Sequence, residues 1–476
     1  MKKTLLAMLL ATAIFSCKKD VKQKEETPEQ NQGTPPNIPT GSFNPVIFSK
    51  SLAKAMESSA LQSFLKKEAL LQFDNDYDIL FQKIKDEVVE GKTVYERLLS
   101  VSADKEGLKK EIDQNPLLTI FVPELKNFSA EKWNTSEKPP VVAIRNVEDS
   151  KSNRPMYGYT YKEDHVTLSY KDEPTYPTVV LKINERLMLN NEKANKMNNL
   201  RDSLQYLSNE VGAFRFLDIT FKKEITNKKR EARSGYSPSV DPRLSYAYTN
   251  NVPCHRDYIY YGIDPAVGIE KGTLNNNYAE FITMFYFNSK AAYEYARDWS
   301  EGYLEIFFDI FFVNQTGGVE ALRKGFSCSS SSVRWDKDDP DYYGAVFYPT
   351  PIEIACWDMQ NYGDTWKFKV FEYDPGTETT NTTTVSSNFG SNFELNLNVF
   401  KKVGIKFGGS ATTTRTNTVT IKTTNNSDDL AETLLDFGVP VMDYLIPVSS
   451  PAGWVASYRN ISTGFVTFTV ETRKRF

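Results

Sequence analysis

The chain reads as a β-dominated α+β protein: an N-terminal helical and α+β unit, then an antiparallel β-sandwich-like domain, then a Thr-rich β-hairpin region. Three observations predict this. Apolar residues recur every three or four positions up to about residue 115. From Leu117 short β-rich runs replace them. The last hundred residues are Thr-rich and alternate with period two over several runs, apolar residues against Thr, Asn, Glu, Gly or Lys.

The helical part is expected within a unit spanning 46–184. Phe48, Leu52, Met56, Leu61, Phe64, Leu65 and Leu71 form one apolar stripe. A second helix is expected from Tyr77 to Val89, carrying Leu80, Phe81, Ile84 and Val88 on one face. A third follows Gly91 through Val94, Leu98 and Leu99, and Pro116 closes the region. Strands are expected at 117–123, 141–144, 166–170 and 178–183. Residues 185–250 read as a polar linker with a helix near 200–211. In 251–375 the strand candidates are 257–261, 281–287, 303–313, 345–347 and 366–372, spaced by Gly, Pro, Asn and Asp turns. In 376–476, Phe393 to Val399, Val403 to Phe407, Thr412 to Thr424 and Phe465 to Val470 alternate with period two.

The extreme N-terminus carries an address. Lys2 and Lys3 precede an apolar run from Leu5 to Phe15, the length of a signal-peptide core and too short for a permanent span. Ile14-Phe15-Ser16-Cys17 resembles the bacterial lipobox, with Phe15 in place of its usual small residue. The resemblance implies removal of residues 1–16 and lipidation of Cys17 by a diacylglyceryl thioether and a further acyl chain such as palmitate. Each buried methylene adds ~0.8 kcal/mol to such anchoring. Residues 17–45 form a lipidated tether, because Lys, Glu, Gln, Pro, Asn and Gly bury too little apolar surface to fold. Lys18-Lys19-Asp20 resembles the start of the signal that sends lipoproteins of Bacteroidota to the cell surface, with Val21 where a second acid is usual. The expected location is the outer membrane, lipid-anchored and facing outward. Pieces such as Trp357-Asp358-Met359-Gln360-Asn361-Tyr362-Gly363 and Leu117-Leu118-Thr119-Ile120-Phe121-Val122-Pro123 look like stretches of flavobacterial outer-membrane lipoproteins. That likeness implies a source and no activity.

Composition excludes several function classes. A net charge of −4 gives no electrostatic footprint for nucleic acid. After the signal no apolar run reaches the length of a membrane-spanning helix, so the lipid is the expected membrane anchor. Only His165 and His255 occur, without a metalloprotease motif, a nucleophile elbow or a phosphate loop, which argues against the familiar hydrolases. His165 reads as a strand-edge surface residue. Cys254, Cys328 and Cys356 leave open one disulfide plus a thiol, or three small core residues.

Four features could carry chemistry. Asp74-Asn75-Asp76-Tyr77-Asp78 opens like a calcium loop but has Ile79 and Lys85 where Gly and Glu are needed, so an acidic helix cap is expected. Asp336, Asp338, Asp339 and Asp341, then Asp358, Asn361 and Asp364, lie in acid-rich loops, and Asp374 ends the strand that follows. Acids on neighbouring sandwich loops hold calcium in C2-like modules, with solvated turns the preferred reading and calcium, on Asp336, Asp338, Asp358 and Asp364, the sharper one. Tyr157, Tyr159 and Tyr161, and Tyr258 and Tyr260, would offer aromatic faces if extended, although sheet-face packing is preferred. The Thr-rich alternation resembles the insertion hairpins of aerolysin-like pore formers, with ordinary exposed strands preferred.

The expectation is therefore a non-enzymatic binding or accessory subunit, with an outer-membrane complex or a glycan as partner. The alternatives are a pore former using 379–424 and a hydrolase with a hidden carboxylate site. A ligand-sized pocket with converging acids favours the enzyme, and a flat exposed patch favours the subunit.

Overall fold

The computed structural model describes residues 43–152, 154–189, 214–217, 221, 240–250, 255–264, 267–269, 272–314, 316–329, 333–335, 345–347, 351–374, 378–390, 412–424, 427–447 and 454–475. It is a β-dominated α+β protein. The signal, Cys17 and the tether lie outside the described residues, as do the expected helix near 200–211 and the alternating segments 393–399 and 403–407.

The single N-terminal stripe becomes two helices, Val46–Ala55 and Ser59–Leu71, because Ser58 accepts from the Leu61 N–H and starts the second. Helix Val94–Val101 begins at a capping box of Thr93 and Glu96, and Lys105–Gln114 is capped by Asp104. Phe48, Leu52, Leu61, Leu65, Leu98 and Leu108 bury their apolar faces in one core with the first sheet. That sheet has six strands among the described residues, in the order Asp78–Leu80, Leu118–Phe121, Thr178–Ile183, Val141–Ile144, Met156–Tyr159, His165–Leu168. One pair, Val141–Ile144 with Thr178–Ile183, is parallel.

The helix expected from Tyr77 to Val89 does not form. Asp78–Leu80 is a strand paired with Leu118–Phe121, and only the single turn Phe81–Ile84 is helical before Val88–Val89. Long-range pairing and capture of the neighbouring aspartates outweigh the local period.

Two further sheets pack face to face. Strand Tyr278–Phe287 pairs with Val466–Lys474, and Leu304–Val313 lies between Val319–Cys328 and Thr365–Glu372, which in turn pairs with Asp428–Asp436. Phe285 and Phe468 from one sheet meet Phe308 of the other at ring distances of 6.1 and 5.3 Å. Strands from beyond residue 376 thus complete both sheets of the sandwich.

Every residue of Leu304–Val313 is buried, because the strand serves two layers. Ile306, Phe308, Ile310 and Phe312 face the sandwich core. Phe307 instead meets Phe214, Phe216, Phe221 and Phe371, while Phe311 and Val313 pack with Val385 of the Thr-rich hairpin. The described parts of 185–250 are therefore more than a linker. Glu185 and Arg186 are buried, and Leu187–Leu189 pairs with Phe214–Phe216 over the sandwich's outer face. The segment expected as strand 257–261 is the helix His255–Tyr261. Its spacing places Arg256 and Tyr260 on one face, where both donate to the buried Glu280.

The hairpin pairs Glu378–Gly390 with Thr412–Thr424 over thirteen residues each, from Glu378 opposite Thr424 to Gly390 opposite Thr412. In this register Thr380, Thr382, Thr384 and Ser386 share one face and Thr383, Val385 and Ser387 the other. Neither carries the continuous apolar band a lipid-facing strand needs. Among the described residues no helix is long and apolar enough to cross a membrane.

Candidate functional site

Where the first unit meets the sandwich, two carboxylate-rich networks are buried. The first grows from Asp74-x-Asp76-x-Asp78, all fully buried. Arg186 donates Nε to Glu305 Oε1 at 2.6 Å, Nη1 to the Asp74 carbonyl at 3.0 Å and Nη2 to Ser327 Oγ at 3.1 Å, and its Nη2 lies 3.2 Å from Asp76 Oδ2. Lys182 Nζ pairs with Glu185, sits 3.2 Å from Asp78 Oδ1 and donates to the Glu301 carbonyl at 2.5 Å. Asn184 Nδ2 donates to Asp74 at 2.9 Å, and the Tyr303 N–H donates to Asp76 at 2.9 Å. Gly302 is required next to this bond. Its φ is +112°, and a Cβ there would lie 2.3 Å from Asp76 Oδ2. Burial lifts Asp74 to about 6 and Glu305 to about 8, against the pull of Arg186 on both. The three aspartates therefore bind the two units together and do not cap a helix.

The second network borders a pocket of about 410 Å³ lined by both units. Arg145, Lys151 and Tyr170 come from the first unit, and Asp298, Glu301, Asp374 and Asp428 from the sandwich. Arg145 Nη2 donates to Glu301 Oε1 at 2.9 Å and to Asp374 Oδ1 at 3.2 Å, and lies 3.5 Å from Asp298 Oδ2. Lys151 Nζ lies 3.3 Å from Asp374 Oδ2 and 2.6 Å from Asp428 Oδ1. Burial drives Glu301 well above the usual carboxylate range. Asp374 is equally buried, yet Arg145, the Glu301 hydrogen bond and Lys151 together hold it below that range.

Behind the pocket wall stands Glu372. It is fully buried, and both its carboxylate oxygens lack a hydrogen-bond partner. It is registered opposite Ile306, a residue of the sandwich core, so its carboxylate ends an apolar face. Burial, then the charges of Asp374 and Glu305, push it well up. Oxygen atoms of Glu301, Glu372 and Asp374 all lie within 4.8 Å of one another.

The expected calcium residues fall elsewhere. Asp336 and Asp338 lie outside the described residues. Asp358 accepts from the N–H of Asn361 at 3.2 Å and from its Nδ2 at 2.6 Å, at the start of the one-turn helix Met359–Tyr362. Asp364 is buried and accepts from Thr365 Oγ1 at 2.9 Å and Ser387 Oγ at 3.4 Å. Neither joins a cluster of three or more metal-ligating side chains among the described residues. The aromatic faces are packed: Tyr159 is buried, and Tyr157 lies over the His165 ring at 5.1 Å. His165 sits on the edge strand as expected, half-buried, and burial lowers its pKa. His255 is buried, accepts from the Val441 N–H at 3.0 Å, and is lowered to about 4 by burial and Arg256. Cys328 and Cys356 are free thiols, and Cys254 lies outside the described residues.

Comparison with known proteins returns no match: no family model, no curated protein and no solved structure matches the chain.

Proposed function

We propose that this chain is a lipid-anchored outer-membrane protein, facing the cell exterior, that acts as a binding or accessory subunit and holds a small charged ligand in the junction pocket. The observation that carries this reading is the pocket's mixed lining. Arg145, Lys151, Lys171 and Arg297 face Glu294, Asp298, Glu301, Asp374 and Asp428 across about 410 Å³. Such a wall suits a ligand bearing both charges, such as an amino acid, a short peptide or an amino sugar that also carries a carboxylate. The location rests on Cys17, the residues around it and the flavobacterial-type stretches, and it leaves an outer-membrane protein complex or a surface glycan as the larger partner.

A carboxylate hydrolase is the second reading, favoured by Glu301 hydrogen-bonding to Asp374 in the pocket wall. Arg145 holds both acids and Asp298 at once, so neither is free to move a proton until that guanidinium swings away. Binding is the better fit to that geometry.

Cys17→Ala should abolish fatty-acid labelling and release the protein from membranes; a mutant that still labels and sediments with membranes overturns the anchor. For the pocket, calorimetry with dipeptides and amino sugars should give heats that Lys151→Ala removes. Silence across both classes overturns the ligand reading. Co-purification from membranes in mild detergent then identifies the larger assembly.

A further inference from the structure

We propose that Glu301, Glu372 and Asp374 form a divalent-cation site, with calcium as the occupant, just behind the wall of the junction pocket. The site stands whether or not the pocket takes an organic ligand.

The argument starts from charge. Five carboxylates meet here: Asp298, Glu301, Asp374 and Asp428 through their ion pairs, and Glu372 through its approach to Glu301 and Asp374. Arg145 and Lys151 are the cations in ion-pair contact with them, while Lys171 and Arg297 line the adjoining pocket. Five acids share two paired bases, so the cluster itself is short of cations. Arg145 and Lys151 are already shared among Asp298, Glu301, Asp374 and Asp428.

Glu372 is the independent observation. A fully buried carboxylate with no hydrogen bond to either oxygen forfeits its hydration without return. One of its oxygens and one each from Glu301 and Asp374 lie within 4.8 Å of one another. Calcium accepts carboxylate oxygens at ~2.4 Å in flexible geometry, whereas magnesium demands a near-ideal octahedron at ~2.1 Å and sheds its water reluctantly, so a buried all-carboxylate set favours calcium. Three carboxylates offer up to six oxygens, hard donors suited to calcium, and the adjoining pocket gives water access to the remaining positions. The ligands come from two places in the sandwich, the turn before Leu304–Val313 and the end of Thr365–Glu372. Arg145 and Lys151 of the first unit grip two of these ligands, so an ion there also steadies the junction.

The neighbouring group Asp76, Asp78 and Glu185 serves as an internal contrast. Its oxygens are equally close, but Asp78 and Glu185 pair with Lys182 and Asp76 with Arg186, so each of the three acids has a cation, as Glu372 does not.

The test uses the full mature chain stripped with chelator, then titrated with calcium chloride or magnesium chloride and followed by melting temperature and by calorimetry. Calcium should raise the melting temperature by a few degrees at a hundredfold excess over Kd, and magnesium by less. Glu372→Gln has the shape of a protonated Glu372, so it should fold whichever occupant is correct. It should melt at or above the stripped wild type and bind calcium about tenfold or more weakly. Asp358→Asn with Asp364→Asn should leave the calcium shift intact. A wild type indifferent to calcium, or undiminished binding in Glu372→Gln, overturns the site. Loss of the shift in the Asp358 and Asp364 double variant would move calcium to the loops and overturn it as well.

Discussion

The two buried networks at the junction have the same raw material and opposite finish. Around Lys182 and Arg186, five acids (Asp74, Asp76, Asp78, Glu185 and Glu305) each find a cation, an amide or a backbone N–H. Around Arg145 and Lys151, five acids again gather, but Glu372 finds none and a pocket opens beside them. Equal charge counts therefore do not predict equal roles. A network in which every acid has at least one partner, although Glu305 Oε2 accepts no hydrogen bond, fixes the relative position of two units, whereas a network with a wholly unpartnered carboxylate is poised to bind.

Breaking the satisfied network should have the largest effect. Arg186→Met leaves Glu305 and Asp76 buried without their guanidinium, and chemical denaturation should show a loss of about 3–5 kcal/mol. A loss under 1 kcal/mol would mean that the network contributes nothing to holding the units. Arg145→Met also strips three acids of their partner, but these border an open pocket where water can return. Its cost should be about 1–3 kcal/mol, and a loss equal to that of Arg186→Met would erase the distinction between the two regions.

The next effect is on pH. Asp74 and Glu305 carry raised pKa values in the fold, about 6 and about 8, so the folded state holds protons that the unfolded chain has released. Their contribution is fully present below the unfolded carboxylate range and is lost as pH rises through 6 and then 8. Stability should fall between pH 5 and pH 8, by an amount on the order of a few kcal/mol. His255 acts with the opposite sign. Its lowered pKa of about 4 means that its contribution is present above its ordinary range and is lost as pH falls through 4. Melting curves from pH 3.5 to 8.5 should therefore peak on the mildly acidic side, and a maximum at pH 8 would contradict the satisfied network as drawn.

The smallest effect is the sharpest contrast. In chelator, Glu372→Gln should be neutral or slightly stabilising, because no hydrogen bond to its carboxylate is lost. The same change at Glu305 should destabilise by about 1–3 kcal/mol, since Arg186 then loses its buried partner. Equal outcomes at the two positions would show that the unfilled carboxylate is no different from the paired one.

Much of the architecture is legible in the chain alone. The strands at 178–183 and 345–347 fall where β-rich runs place them, and the ends of 304–313 and 365–372 shift by a single residue. Hydrophobic patterning and turn residues determine these, because a strand's alternation and a helix's stripe are local properties. The sequence also carried the lipobox-like N-terminus and the thirteen-residue strand Thr412–Thr424.

What the tertiary structure decided is which period wins and which charges meet. Arg256 and Tyr260 sit one helical turn apart because Glu280, on a distant strand, accepts from both, so a run that looks like a strand is a helix. Asp74, Asp76 and Asp78 look like a cap until Lys182 and Arg186, more than a hundred residues later, arrive beside them. Glu301 lies far before Glu372 and Asp374 in the chain, and only the folding of the sandwich brings the three together, with Arg145 and Lys151 of the first unit beside them. Burial and pairing are properties of what lies across space, and electrostatic free energy depends on that distance and dielectric, not on sequence spacing.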